Sequence, residues 1–277
     1  MPGSRFAAVV GATQHDRPAG PVDEEAIAAR IWAARRDGWL LEAEDDVREL
    51  PLDAAYRVQT RVLQRWLGAH PEDRVVGWKL GYTSQAMREQ MGVAEPNLGP
   101  LLSSMLRRSG QEPPAGLRQP RVEPEVALVV GEDVTEPLAP DRLRAAVLEA
   151  RPALEIVDST WVGYRFTLAA NTADLSSAAG VVLGDPLPRA DRLVDLPVEL
   201  RVDGRPVAAA TGAAAMGDPL TALGWLVDSL TRTGTVLRAG SVVLTGGLTA
   251  AHPLRPGSVV EATFGQGPEA TRISVAR

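Results

Sequence analysis

The chain has 277 residues, 45% of them hydrophobic, with 35 acidic against 29 basic side chains and a net charge of −6. That length allows one catalytic-sized core with a helical appendage, and the mildly acidic balance gives no footing for a nucleic-acid partner. With no cysteine there is no disulfide framework, thiolate metal site or cysteine nucleophile, so any metal must be held by oxygen or imidazole. No apolar run approaches the roughly 18 residues that span a bilayer, and the N-terminal "FAAVV" is shorter than a signal-peptide core of roughly 7; the default expectation is a cytoplasmic protein with no membrane contact.

Residues 1–21, rich in Gly, Pro and small side chains, read as a loose arm. Asp23 is a natural N-cap, followed by Glu24 and Glu25 in the first turn, with Ile27, Ile31 and Ala34 along one face and Gly38 as the stop. Val58, Val62 and Trp66, spaced by four, predict a second helix over about 53–68, so 22–70 form a helical N-terminal region. In "RVVGWKLGYT" the period changes to two. Trp78 and Leu80 then face one way while Gly77, Lys79 and Gly81 face the other, which puts Lys79 on a face cleared by two glycines. Ser84 predicts the cap of a short helix running to Met91.

"RVEPEVALVV" (121–130) predicts the strongest strand, 141–150 a helix and "ALEIVD" (153–158) another apolar strand. "PVELRVDGRPVAAA" predicts a hairpin turning at Asp203-Gly204, and Asp218 predicts the cap of a helix bearing Leu223, Val227 and Leu230, stopped by Gly234. "SVVLTGG", "SVVEATF" and "TRISVAR" give a strand-rich end. Strands dominate after residue 71 without βαβ alternation, so the expected class is α+β with 71–277 as a β-rich catalytic core.

Glu123 and Glu125 share one face of their strand, and Glu155 adds a third acid from a separate apolar strand. An E-x-E pair is commonly a solvated strand face. Flanked by apolar residues and joined by a third acid, it also suits a hard divalent cation, because buried carboxylates need neutralising charge. Lys79 is open to two readings, a surface strand lysine or a pocket-facing ammonium. "LTGGLT" (244–249) is no dinucleotide fingerprint; its use is a tight turn exposing backbone N–H groups. His15, His70 and His252 stand in loop-like surroundings and read as surface residues.

Taken in order, "GWKLGYTS", "PNLGPLLSSM", "RVEPEVALVV", "ALEIVDS", "TADLSSAAGVVLG", "MGDPLTALGWLV" and "LRAGSVVLTGGL" resemble the 2-keto-4-pentenoate hydratase and 4-oxalocrotonate decarboxylase branch of the fumarylacetoacetate hydrolase superfamily. The resemblance spans roughly residues 25–275. It implies a mixed β-roll or barrel-like core with a helical N-terminal region, bound Mg²⁺ or Mn²⁺, a small 2-oxo acid substrate and a homo-oligomer. It carries metal ligation to Glu123, Glu125 and Glu155, the active-site lysine to Lys79 and the active-site aspartate to Asp174. Substrate contacts fall on Ser176, Ser177, Thr245, Gly246 and Asn97.

Three departures stand out. Asn97 replaces an aspartate, Thr160 an arginine that would pair with a substrate carboxylate, and Leu175 an asparagine. The reading that follows is a metal-dependent lyase on a small 2-oxo or 2-hydroxy-dienoic acid, with hydration preferred. Decarboxylation of a 4-oxalocrotonate-type acid is the alternative, followed by hydrolysis of an acylpyruvate carbon-carbon bond and by a non-catalytic metal-binding member.

Overall fold

A computed structural model describes residues 22–84, 88–89, 93, 95–188 and 192–277. The expected N-terminal arm and His15 lie outside the described residues, as does most of the helix predicted after Ser84.

The N-terminal region is a helical layer: α1 (Glu24–Asp37), the single turn α2 (Asp45–Arg48) and α3 (Leu52–Ala69). Asp23 caps α1 by accepting from Ala26 N, and Gly38 closes it at φ 77°. Their buried faces, Ile27, Ile31, Val58 and Val62, pack with Trp161, Ala170 and Leu175 from the rest of the chain. The buried Gln59 amide locks the layer down by donating to the carbonyls of Leu98 and Thr172.

Two sheets follow. The larger contains β1 (Val75–Gly81), β2 (Asn97–Leu102), β3 (Leu106–Arg108), β4 (Arg121–Val130), β5 (Val147–Val157), β6 (Ala178–Leu183), β9 (Val242–Leu244) and the short β10 (His252–Pro253). Its order is β2-β1-β9-β4-β5-β6-β3, with β10 alongside β4. The β1–β9 and β3–β6 pairs are parallel, so the sheet is mixed. The smaller sheet runs β12-β11-β7-β8, from β7 (Pro197–Val202), β8 (Arg205–Thr211), β11 (Val259–Phe264) and β12 (Thr271–Ala276). Asp203 and Gly204 turn the β7–β8 hairpin with φ 50° and 75°, as two-residue loops of that kind require.

Alternation divides the large sheet cleanly. Leu80, Val122, Val126, Leu154, Ile156 and Val243 point to one side, packing with Leu200, Val260 and Phe264 of the small sheet and Leu223, Leu226 and Val227 of a helix, Pro219–Thr231. On the other side a smaller apolar set, including Ala127, Ala153, Val181 and Leu244, surrounds the three acids.

Two local expectations are corrected. The helix predicted over 141–150 stops at Ala146, and β5 begins at Val147, because Val147 pairs with Val130 and Glu149 with Val129; long-range pairing overrides local propensity there. Pro124 pairs with Leu154 on the β5 side, but on the other flank it falls between β9 and β10, where a loop supplies Leu248 N–H to its carbonyl. A proline is tolerated in this central strand because the missing donor faces that interruption of the ladder.

Candidate metal centre

Register assembles the acid cluster. Glu123 lies directly across from Glu155 in the antiparallel β4–β5 pair, and Glu125 follows two residues along the same face. Ala127, next on that face, pairs with Leu244, which pairs in turn with Lys79 across the parallel β9–β1 contact. Four neighbouring strands thus direct Lys79, Glu123, Glu125 and Glu155 to one side of one sheet. One carboxylate oxygen from each acid lies within 4.8 Å of the others.

Glu125 and Glu155 are completely buried, while Glu123 is partly exposed and marks the open end. Lys79 Nζ stands 3.2 Å from Glu155 Oε2, out of line for a hydrogen bond to it, and donates to the Ser176 carbonyl at 3.2 Å. Gly246 N donates to Glu125 Oε2 at 2.7 Å. Glu125 Oε1 and both Glu155 oxygens remain without a hydrogen bond. Burying three carboxylates with one ammonium and one amide leaves a formal charge of −2 when all are ionised. An all-oxygen donor set of that charge fits a hard divalent cation.

Electrostatics express the same deficit. Burial, reinforced by Glu155, pushes Glu123 up to about 8, and burial with Glu155 and Glu123 pushes Glu125 well above the ordinary carboxylate range. Burial alone would lower Lys79, but Glu155, Glu123 and Glu125 outweigh it and raise it. Lys79 is therefore an ammonium at neutral pH.

The loop after β9 must pass very close to the acids. A Cβ on Gly247 would sit 2.1 Å from Glu123 Oε2, and one on Gly246, at φ 103°, would sit 1.9 Å from Thr83 Oγ1. Glycine is required at 246 by its backbone, a side chain at 247 would displace the Glu123 carboxylate, and the expected exposed backbone N–H is the one on Glu125. Thr245 is set back, its hydroxyl bonded to the Val126 carbonyl. The glycines beside Lys79 play another part than the one expected. A Cβ on Gly77 would meet the Val242 backbone and one on Gly81 would meet Asn97 Oδ1, so they admit protein rather than leaving room for a ligand.

Asp174 closes the helix α5 (Leu168–Ala173, fifth after Pro140–Ala146) and opens a turn in which Leu175, Ser176 and Ser177 have φ of 50°, 54° and 58°. Left-handed backbone costs non-glycine residues roughly 1–2 kcal/mol each. The turn is held by a dense polar network. Arg35 Nε donates to Asp174 Oδ1 at 2.7 Å, and Thr160 donates its N–H to Oδ2 and its hydroxyl to Oδ1. Both carboxylate oxygens of Asp174 are committed within this network rather than aimed at the acids, unlike the active-site position expected for it. Asn97 is likewise fully buried, donating to Asn171 Oδ1 and Thr172 Oγ1 and accepting from Ser176 Oγ. Ser177 Oγ accepts from Asn171 Nδ2. Of the residues expected to face substrate, the Ser176 carbonyl and Gly246 amide touch the lysine–acid cluster directly, whereas Asn97, Ser177 and Thr245 are one layer behind.

Three neighbours had no sequence signal strong enough to select them. Thr83 Oγ1 is buried without a partner beside the Gly246 turn. Arg35 lies in a helix, far away in sequence. Arg121 shares the face of Glu123 and Glu125, two residues toward the open end. Its guanidinium lies over the Tyr164 ring, 4.1 Å from the centroid, and among the described residues it has no ion-pair partner. Its place on an E-x-E strand was the one available clue.

Comparison with known proteins gives the family of the chain. Residues 84–274 match the family model for the fumarylacetoacetate (FAA) hydrolase C-terminal domain. A 2-keto-4-pentenoate hydratase of Paraburkholderia xenovorans is 34% identical over 247 residues, 87% of this chain and 91% of the relative. A 4-oxalocrotonate decarboxylase of a Pseudomonas species is 36% identical, covering 74% and 82%. Among solved structures, 4-oxalocrotonate decarboxylase from Pseudomonas putida G7 in complex with magnesium and adipate superposes with a TM-score of 0.81 at 28% identity, covering 91% of this chain and 96% of that one.

Proposed function

This chain belongs to the fumarylacetoacetate hydrolase C-terminal family, and we propose that it is a divalent-metal-dependent lyase acting on a small 2-oxo or 2-hydroxy-dienoic acid, in the manner of a 2-keto-4-pentenoate hydratase. The observation that carries the reading is the buried, under-neutralised set Glu123, Glu125 and Glu155 beside the Lys79 ammonium. These three acids would hold Mg²⁺ or Mn²⁺. A cation there supplies Lewis-acid stabilisation of the negative charge that develops on the oxygen of an enolised 2-oxo acid.

The chain's own groups then have distinct tasks. Lys79, bonded to the Ser176 carbonyl, gives a proton to the terminal carbon of the dienol and takes up the proton that the C2 hydroxyl releases, leaving the 3,4-unsaturated ketone. Water then adds across that double bond, its hydroxyl to C4 and its proton to C3, to give the 4-hydroxy-2-oxo acid. The Gly246 amide holds Glu125 in place, and Ser176 orients Lys79 through its carbonyl. Asp174, Asn97 and Ser177 act by building the turn that presents that carbonyl.

Incubation with Mg²⁺ and 2-oxopentanoate in D₂O tests the enolisation step by NMR. C3 protons should exchange, and Glu125→Ala should stop exchange. Metal binding without exchange in the native protein would refute the reading and favour a binding role.

A second reading, decarboxylation of a 4-oxalocrotonate-type dioic acid, is favoured by Arg121. A guanidinium at the open end of the acid row, with no ion-pair partner among the described residues, can receive a second carboxylate, as the Thr160 position cannot. Assaying 2-hydroxypenta-2,4-dienoate for water uptake and 2-oxohex-3-enedioate for carbon dioxide release separates the two. Arg121→Ala should raise KM at least tenfold for the dioic acid while leaving the monoacid nearly unchanged.

A further inference from the structure

The family model begins at residue 84, so it contains the three acids but neither Lys79 nor the helical layer. Yet the layer reaches the turn behind Lys79 through Arg35. Arg35, in the last turn of α1, is 5% exposed and grips both ends of the left-handed turn. Its Nε donates to Asp174 Oδ1 at 2.7 Å, its Nη2 to the Asp174 carbonyl at 2.7 Å, and its Nη1 to the Ala178 carbonyl at 3.3 Å. Between those anchors lies Ser176, whose carbonyl accepts from Lys79 Nζ. Gly99 lets the turn lie flat on β2, since a Cβ there would meet the Leu175 carbonyl at 2.4 Å.

We propose that Arg35 is a positioning residue for catalysis, fixing the Leu175–Ser177 turn so that the Ser176 carbonyl orients the Lys79 ammonium at the edge of the acid cluster. The Ser176 carbonyl is the one hydrogen bond to that ammonium identified among the described residues. Released from it, Lys79 loses its orientation toward substrate. The acids themselves stand on the sheet and do not depend on the turn. The helical layer is on this account a working part of the site, and the inference rests on Lys79 being the proton donor.

The decisive variant is Arg35→Lys, which keeps the charge near Asp174 but cannot span both turn carbonyls. Expected are a fall in kcat of at least thirtyfold and changes within threefold in KM and in Mn²⁺ affinity, the latter measured by electron paramagnetic resonance. The Lys79 ammonium signal in ¹⁵N NMR is expected to exchange slowly in the native protein, where it is buried and hydrogen-bonded, and to become fast in the variant. An unchanged kcat, or a loss of Mn²⁺ affinity matching the loss of kcat, would overturn the proposal in favour of a general structural role. Should Arg35→Lys fail to fold, Gln59→Leu decides the matter. It removes the layer's two bonds to the Leu98 and Thr172 carbonyls but leaves the Arg35 bonds to the turn, so stability should fall with kcat within threefold; an equal loss of kcat would refute a specific role for Arg35. If the native protein turns over no 2-oxo acid while the ammonium signal still responds to Arg35→Lys, the functional reading fails and the positioning does not.

Discussion

Two groups of buried acids show what distinguishes a structural carboxylate from one awaiting a partner. Asp73, between α3 and β1, receives five hydrogen bonds, from Trp66 Nε1, the Arg74 amide, the Ser103 hydroxyl and both the amide and hydroxyl of Ser104. Burial alone would raise it, but those donors prevail and bring it down to about 2. Glu125 and Glu155 are buried more deeply, yet Glu125 receives one hydrogen bond and Glu155 none. The fold meets the needs of Asp73 internally and leaves the glutamates short of protein partners, as the proposed cation site requires. A buried polar group without a partner costs stability, so its persistence points to a ligand.

The largest expected effect falls on the glutamates. Glu125→Gln removes one of three ligand charges and should reduce turnover at least a thousandfold, with Mn²⁺ binding lost in the same preparation, while the metal-free protein melts no lower than the native one. Retained metal affinity would show that Glu125 is not a ligand.

Asp73→Asn should give the opposite pattern. Losing hydrogen bonds to a charged acceptor costs about 2–3 kcal/mol, seen as a lower midpoint in urea denaturation, with kcat unchanged. A loss of kcat without a loss of stability would break the contrast between the two groups.

A pH dependence peculiar to the metal-free protein sharpens the same contrast. Glu123 titrates at about 8 in the fold against an ordinary glutamate value of 4.5. The folded state therefore binds that proton more tightly than the unfolded chain does. Stability from this group is complete below the unfolded value and declines as pH rises toward the folded one, a window of about 4.5 to 8. Thermal melts across it should show Tm falling by roughly 5 °C or more without metal, and saturating Mg²⁺ should remove the decline. A Tm rising with pH in the metal-free protein would contradict the charge deficit at the site.

Much of this was legible in the chain. The caps Asp23 and Asp218, the Asp203-Gly204 turn and the period-two run around Lys79 are local signals, and each element formed where they placed it. Strand alternation put Glu123 and Glu125 on one face, and the ordered motifs identified the family. Local signals failed at 147–150, where pairing with β4 extends a strand into an expected helix, and at Gly77 and Gly81, whose empty faces are filled by neighbouring backbone and Asn97. They were also silent on β2, β3 and β6, which depend on partners far away in sequence.

By itself, then, the sequence determined which residue types share a face, because a strand's period is a property of its own backbone. Only the tertiary structure decided that Glu155 stands opposite Glu123, that β1, paired with β4 through β9, presents Lys79 on the same side, and that Arg35 reaches the turn beneath Ser176. Those are matters of register and packing between distant segments. The left-handed turn is the sharpest case: Leu175, Ser176 and Ser177 have no intrinsic preference for it, and contacts from α1, β2 and Thr160 impose it.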